Sequence, residues 1–221
     1  MNADIAGYGP PFTGVAVVGR GVVQAVPDIA TFALAAQVTA PSAGEAMSKA
    51  SASMESMVTA AAAAGVASSD RQTHGMQLSS YRRRQGAPVQ HQAVQRLRVW
   101  VRDVDSAGEI LERILAAGGD DAQVEGSGLT ISDEQAYADR ARDLAMADAR
   151  HRAEQLARLA DRPLGAVLAV HEESGRSSVA RRSAKFAAAD AVALAASASA
   201  PVEAGEIELT VLVAVEFGWA D

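Results

Sequence analysis

Strand signals stand at both ends of this chain. Near the start, Gly14-Val-Ala-Val-Val-Gly-Arg-Gly-Val-Val-Gln-Ala-Val-Pro-Asp28 is a Val-rich extended run broken by Gly19 and Gly21. At the far end Ile207, Leu209, Val211, Val213, Val215 and Phe217 alternate with mostly polar neighbours, the period of a half-buried strand. Residues 13–39 read as two strands. Pro27 sits near the start of the second, where a missing N–H does least harm, and Phe32, Leu34, Ala36 and Val38 share one face of it. A helix follows from Pro41 to Ala64, with Ser42 and Glu45 as a capping box and Gly65 as its stop. Its Met47, Met54, Met57 and Val58 stand at helical spacing and read as core.

The middle of the chain keeps changing period. Asp70 to Tyr81 reads as a strand, Arg82 to Pro88 as a turn, and Val89 to Arg102 as a long strand. A helix from Ser106 to Ala117 stops at Gly118-Gly119, and a short strand from Gln123 to Ile131 leads into the longest helix, Asp133 to about Leu159. Ser132 and Gln135 are read as its capping box. Along it Tyr137, Ala141, Ala145, Ala149, Ala153, Leu156 and Ala160 form a stripe of mostly small residues that permits close approach to a sheet or a second helix. Asp148–Arg152 and Glu154–Arg158, spaced i,i+4, read as ordinary solvated pairs. Leu164 to Val170 is another strand.

Hairpins mixed with helical crossovers predict an α+β fold, an antiparallel or mixed β-sheet with three main helices packed on it, and not a doubly wound parallel sheet. The expected organisation is a flexible N-terminal segment over 1–12, one domain over 13–217, and a tail over 218–221. A Ser/Ala/Arg-rich low-complexity insertion falls at about 174–200.

Composition narrows the function classes. Of 221 residues 49% are hydrophobic but only 4% aromatic, so Ala and Val dominate and each buries little area. Thin, closely packed layers follow, with extra burial expected between subunits. A net charge of −7 argues against a nucleic-acid partner, which needs a basic footprint. The absence of cysteine excludes disulfides, thiol nucleophiles and Cys-ligated metal sites. No apolar run reaches the roughly 18 residues of a membrane-spanning helix. Residues 1–12 lack a basic stretch followed by an apolar one, so a cytoplasmic location is expected of the chain as written.

Candidate chemistry is sparse. Gly19-Arg-Gly21 lacks the third glycine of a dinucleotide loop, since Gln24 holds its place, and paired glycines at a hairpin or bulge are expected instead. His74, His91, His151 and His171 show no metal-ligand spacing, and His171-Glu172-Glu173 reads as a charged strand end. No Gly-x-Ser-x-Gly elbow occurs. No catalytic residue, cofactor site or metal site is assigned. Arg82-Arg-Arg84 and Arg181-Arg182 are the basic clusters, and the first reads as a solvated hairpin tip.

Several short motifs together resemble the SIMPL-domain family. They are Val17-Val-Gly-Arg-Gly-Val22, Val26-Pro-Asp-Ile-Ala30, Gly65-Val, Asp70-Arg-Gln-Thr73, Val99-Trp-Val-Arg-Asp103, Ala116-Ala-Gly118, Ala141-Arg-Asp-Leu-Ala145 with Asp148-Ala-Arg150, Pro163-Leu-Gly165, and the strand from Gly205 to Phe217. The likeness runs from Thr13 to Phe217. Bacterial members of the family include periplasmic proteins and an immunodominant surface antigen, and they usually carry an export signal. The resemblance implies an α+β domain that assembles into ring- or channel-like homo-oligomers, with links to envelope integrity and stress tolerance, and it transfers no catalytic residue. The expected function is therefore that of a non-enzymatic structural or interaction protein, a homo-oligomer, with a further protein partner left open. The alternatives are a hydrolase-like enzyme with a dispersed site around His74, His151 or His171, or an anionic-ligand module using Arg82, Arg83 and Arg84.

One expectation concerns strand pairing. In Val89 to Arg102, Val89, Ala93, Leu97, Val99 and Val101 face the core, and Arg96, Arg98, Trp100 and Arg102 face outward. The C-terminal strand sets Glu206, Glu208 and Glu216 on its outer face. The two strands are expected to be neighbours, within a protomer or across an interface, with Arg meeting Glu at roughly 0.2–1 kcal/mol per exposed pair.

Overall fold

The computed structural model describes residues 14–172, 179–180 and 205–220. In chain order the elements are β1 (Gly14–Ala25), β2 (Ile29–Ala40), α1 (Ala43–Ala63), β3 (Arg71–Tyr81), β4 (Gln90–Val101), α2 (Ala107–Gly118), β5 (Ala122–Thr130), α3 (Glu134–Leu159), β6 (Leu164–Glu172), β7 (Val179–Ala180) and β8 (Ile207–Trp219). The fold is α+β, with its helices divided between two antiparallel sheets. The N-terminal segment 1–12, Arg181-Arg182 and most of the 174–200 insertion lie outside the described residues, and β8 runs on through Gly218 and Trp219.

The chain divides into two units. In the first, the two ends of the chain meet: β1 pairs antiparallel with β8 from Gly14↔Gly218 to Ala25↔Ile207. The sheet order is β1-β8-β6, with β7 also on β8. The alternation in β8 lands as expected, with Leu209, Val211, Val213, Val215 and Phe217 all buried. Against that face lies the small-residue stripe of α3, formed by Ala141, Ala145, Ala149 and Ala153. The stripe continues at Ala157, because the buried line keeps to every fourth residue; Leu156 and Ala160, expected on it, are exposed.

Gly19 and Gly21 are the counterpart of that stripe. They lie mid-strand in an unbroken register, at neither a hairpin nor a bulge. A Cβ on Gly19 would stand 2.0 Å from the Ala145 carbonyl oxygen, and one on Gly21 would stand 1.8 Å from that of Ala141. The glycines let the helix backbone rest directly on the strand, a close approach that any side chain forbids.

The second unit holds β2 to β5 in the order β3-β4-β2-β5, with α1 and α2 on one face. Phe32, Leu34 and Ala36 of β2 and Leu97, Val99 and Val101 of β4 form the floor of its core, and Met54, Met57, Ile110 and Ile114 of the helices close it. Met47, read as part of the same stripe, is exposed. α1 begins as expected, its first turn capped by the Ser42 hydroxyl accepting the Glu45 N–H, although the Glu45 carboxylate turns to Lys49 and leaves the reciprocal half of the box unmade. It ends in a Schellman turn: Gly65, at φ 87°, donates to Ala62 and Val66 donates to Ala61.

Two expectations are corrected. The N-cap of α3 is Asp133, whose carboxylate accepts the Ala136 N–H; Ser132 is drawn away by Asp28, and Gln135 bonds Asp139. β4 and β8 are not neighbours. β4 lies between β2 and β3, and β8 lies between β1 and β6 with β7. Both are interior strands with a partner on either side, so neither offers a free edge to the other, within one chain or between chains. Alternation of charge fixed the face each residue occupies; it carried no information about which strand stands alongside.

Candidate functional site

Three of the short motifs meet at one end of the second unit. Arg102, just past β4, donates through Nε to Asp70 Oδ2 at 2.6 Å and through Nη2 to Oδ1 at 2.8 Å, a bidentate pair. Asp70 is 7% exposed, and burial alone would raise its pKa; the Arg102 guanidinium outweighs that and holds the carboxyl below its ordinary value. The same contact pushes Arg102 upward. Nearby, Asp28 accepts the Ser132 N–H at 2.7 Å and the Ser132 hydroxyl. The hydroxyl is the main reason the Asp28 carboxyl lies below its usual value, and the charge of Arg102 adds a smaller pull. Asp28 N–H also donates to Thr130 at 3.1 Å. Asp28, Asp70 and Arg102 are thus each bonded within the cluster, which clasps the end of a sheet.

Arg96, Arg98 and Trp100 share the β4 face opposite α1 and α2, as their alternation with buried Leu97, Val99 and Val101 requires. Arg96 Nε bonds both oxygens of Glu125 on β5, at 2.9 and 3.0 Å. The Arg98 guanidinium lies 5.9 Å from the Trp100 ring centroid. Arg82, Arg83 and Arg84 are exposed in the β3–β4 turn, and none of them enters an ion pair among the described residues. The glutamates belong to the other unit. Glu206 is exposed before β8, Glu208 bridges Arg20 of β1 at 3.3 Å, and Glu216 faces a groove.

That groove, of about 330 Å³, crosses β1, β8 and β6. Ala16, Ala169 and Ala214 make its floor, and Val18, His171 and Glu216 stand around it. Ala16 and Ala214 alternate with buried Val15, Val213 and Val215, so the groove opens on the sheet face away from α3. His171 and Glu216 both line it, a histidine together with a carboxylate, as the enzyme alternative calls for.

The two edges of this sheet are treated oppositely. At β1 the Asp148 carboxylate of α3 accepts the Arg20 backbone N–H at 2.8 Å, and Arg152 Nη1 donates to the Val18 carbonyl at 3.3 Å. The Arg20 N–H is the leading cause that depresses Asp148. The i,i+4 pair read as solvated patterning therefore occupies one N–H and one carbonyl of the edge along which another strand would pair. Sequence could not signal this, because only the register of α3 on β1 aims those side chains at the edge. At β6 the opposite holds among the described residues. α3 packs on β1 and β8 and barely reaches β6, touching its end through Arg142 Nε to Glu172 at 2.9 Å. Val167, Leu168 and Val170 are 38%, 56% and 54% exposed.

Among the described residues no cluster of three or more His, Asp or Glu is placed to hold a metal ion, and no helix is long and apolar enough to cross a membrane. Residues 15–217 match the family model described as SIMPL, protein of unknown function (DUF541). The match covers nearly the whole chain, and the chain belongs to that family. Comparison with curated proteins finds no match.

Proposed function

We propose that this SIMPL-family chain is a non-enzymatic structural or interaction protein that works as a homo-oligomer, serving envelope integrity or stress tolerance. The observation that carries the reading is the contrast between sheet edges: Asp148 and Arg152 occupy backbone groups of the β1 edge, while β6, among the described residues, presents aliphatic side chains to solvent. A strand edge left open and apolar is a liability in a chain that stays single, and an asset in one that assembles. The non-catalytic part is supported by the charged clusters, whose members are bonded to each other. The Ala-rich composition fits as well, since an Ala-rich core gains from burial between copies.

Sedimentation velocity and light scattering on the intact chain test it. The expected result is a discrete species larger than one chain, and a strict monomer at high micromolar concentration overturns the reading.

A further inference from the structure

We infer that the β3–β4 hairpin, with Arg82, Arg83 and Arg84 at its tip and Met76 and Leu78 along its edge, is a docking surface for an anionic phospholipid bilayer. This goes beyond the homo-oligomer reading and does not rest on it.

Charge selects the hairpin. Residues 71–101 hold six of the 20 basic residues of the chain (Arg71, Arg82, Arg83, Arg84, Arg96 and Arg98) and none of its 27 acidic ones. A chain of net charge −7 thus concentrates positive charge on one hairpin. Glu125 neutralises Arg96, and Arg71 turns its guanidinium to the Ala67 and Val58 carbonyls. Arg82, Arg83 and Arg84 are exposed and meet no carboxylate among the described residues. Three consecutive guanidinium groups in one turn repel each other, and an anionic surface relieves that repulsion.

The acidic residues of α1 do not answer the tip. Gln90 of β4 stands beside it, and Gln95 of the same strand bonds Ser51 of α1, one turn before Glu55. Five strand residues span about 17 Å, twice the screening length of about 8 Å at physiological salt. Glu45, near the start of α1, is already paired with Lys49.

Apolar surface selects a bilayer over a soluble polyanion. β3 is an edge strand, paired with β4 alone among the described residues and exposed from Gln72 to Ser80. Met76 stands opposite Gln95 and Leu78 opposite buried Ala93, so both lie on the helix side of that edge, 53% and 43% exposed. Tyr81 closes the strand next to Arg82. Arginines beside an exposed thioether, an aliphatic side chain and a phenol suit the boundary between headgroups and acyl chains. There the guanidinium groups meet phosphate while the apolar side chains leave water. The phosphates of a nucleic acid would use the arginines and leave Met76 and Leu78 wet.

Co-sedimentation of the intact chain with vesicles tests this. Vesicles of phosphatidylglycerol and phosphatidylcholine in equal parts should retain the chain at low salt and release it as salt rises, and pure phosphatidylcholine should not retain it. Arg82→Gln, Arg83→Gln and Arg84→Gln together should weaken retention at least about tenfold, with circular dichroism unchanged. Arg140→Gln, Arg150→Gln and Arg158→Gln, at exposed positions of α3, change the net charge equally and should leave retention as it was. Met76→Ser with Leu78→Ser should weaken retention severalfold and keep its salt dependence. Failure of anionic vesicles to retain the chain, or equal loss in both arginine sets, overturns the docking surface. Retention indifferent to the Met76 and Leu78 changes overturns the bilayer in favour of a soluble polyanion. If the Arg82–Arg84 variant loses self-association while vesicle retention is unchanged, the tip belongs to a second copy and the inference is likewise overturned.

Discussion

The Asp148 carboxylate on α3 accepts the backbone N–H of Arg20 on β1 at 2.8 Å, so a helix side chain occupies the site where another strand would pair. Four residues on, Arg152 donates to the Val18 carbonyl at 3.3 Å. Donor and acceptor of the same strand edge are met by an acceptor and a donor one helical turn apart, which requires the helix to run along the strand. The Gly19 and Gly21 contacts let it come close enough.

Removing that cap should show in both stability and association. Asp148→Ala is expected to cost about 1–2 kcal/mol, as the loss of a hydrogen bond to a charged group. It also frees backbone groups of the β1 edge, so the double variant Asp148→Ala, Arg152→Ala should self-associate more than the wild-type chain. Thermal unfolding and light scattering read the two effects. Glu154→Ala, on the exposed face of the same helix, should change neither.

Gly21→Ala should be among the most damaging single changes. Its Cβ would stand 1.8 Å from a helix carbonyl oxygen, and neither the strand nor the helix backbone can yield without breaking other bonds. A loss of at least about 3 kcal/mol is expected. Gly44→Ala, in α1 with nothing within 4 Å, should instead stabilise by about 0.5 kcal/mol, since alanine favours helix. Denaturant titration of both variants would show opposite signs.

Acid should loosen the second unit through Asp70 and Asp28. Both carboxyls lie below their ordinary value in the folded chain, Asp70 through Arg102 and Asp28 through the Ser132 hydroxyl. Depressed groups add stability at pH above the unfolded aspartate value of about 3.9, and the contribution drains away as pH falls from there toward the folded values. Stability measured from pH 7 to 3 should therefore decline for the wild-type chain. Asp70→Asn should be less stable at pH 7 and decline less steeply on acidification.

Charge reversal separates the strand partners. Arg20→Glu combined with Glu208→Arg should recover part of each single defect, by about 0.2–1 kcal/mol, because the two side chains bridge exposed positions of neighbouring strands. Arg98→Glu combined with Glu208→Arg should be additive, since the two residues sit in different sheets.

The legible part of this protein is what depends on near neighbours in the chain. Period-two spacing placed Leu209 to Phe217 and Leu97 to Val101 on buried faces, because each strand residue's face follows from its parity alone. Ser42 and Gly65 marked the ends of α1, because capping joins groups three to five residues apart. The order of motifs pointed to the family. Everything that depends on what arrives through space stayed hidden. Ser132 looked like a cap until Asp28 claimed it, 104 positions away. Asp148 and Arg152 read as a solvated pair until the docking of α3 turned them onto the β1 edge. Likewise Arg96 of β4 found Glu125 on β5, Arg102 found Asp70 just before β3, and Glu208 of β8 found Arg20 on β1. A side chain's face is set locally, but its partner is set by which strand or helix lies alongside, and that is decided by how the whole chain buries its apolar surface.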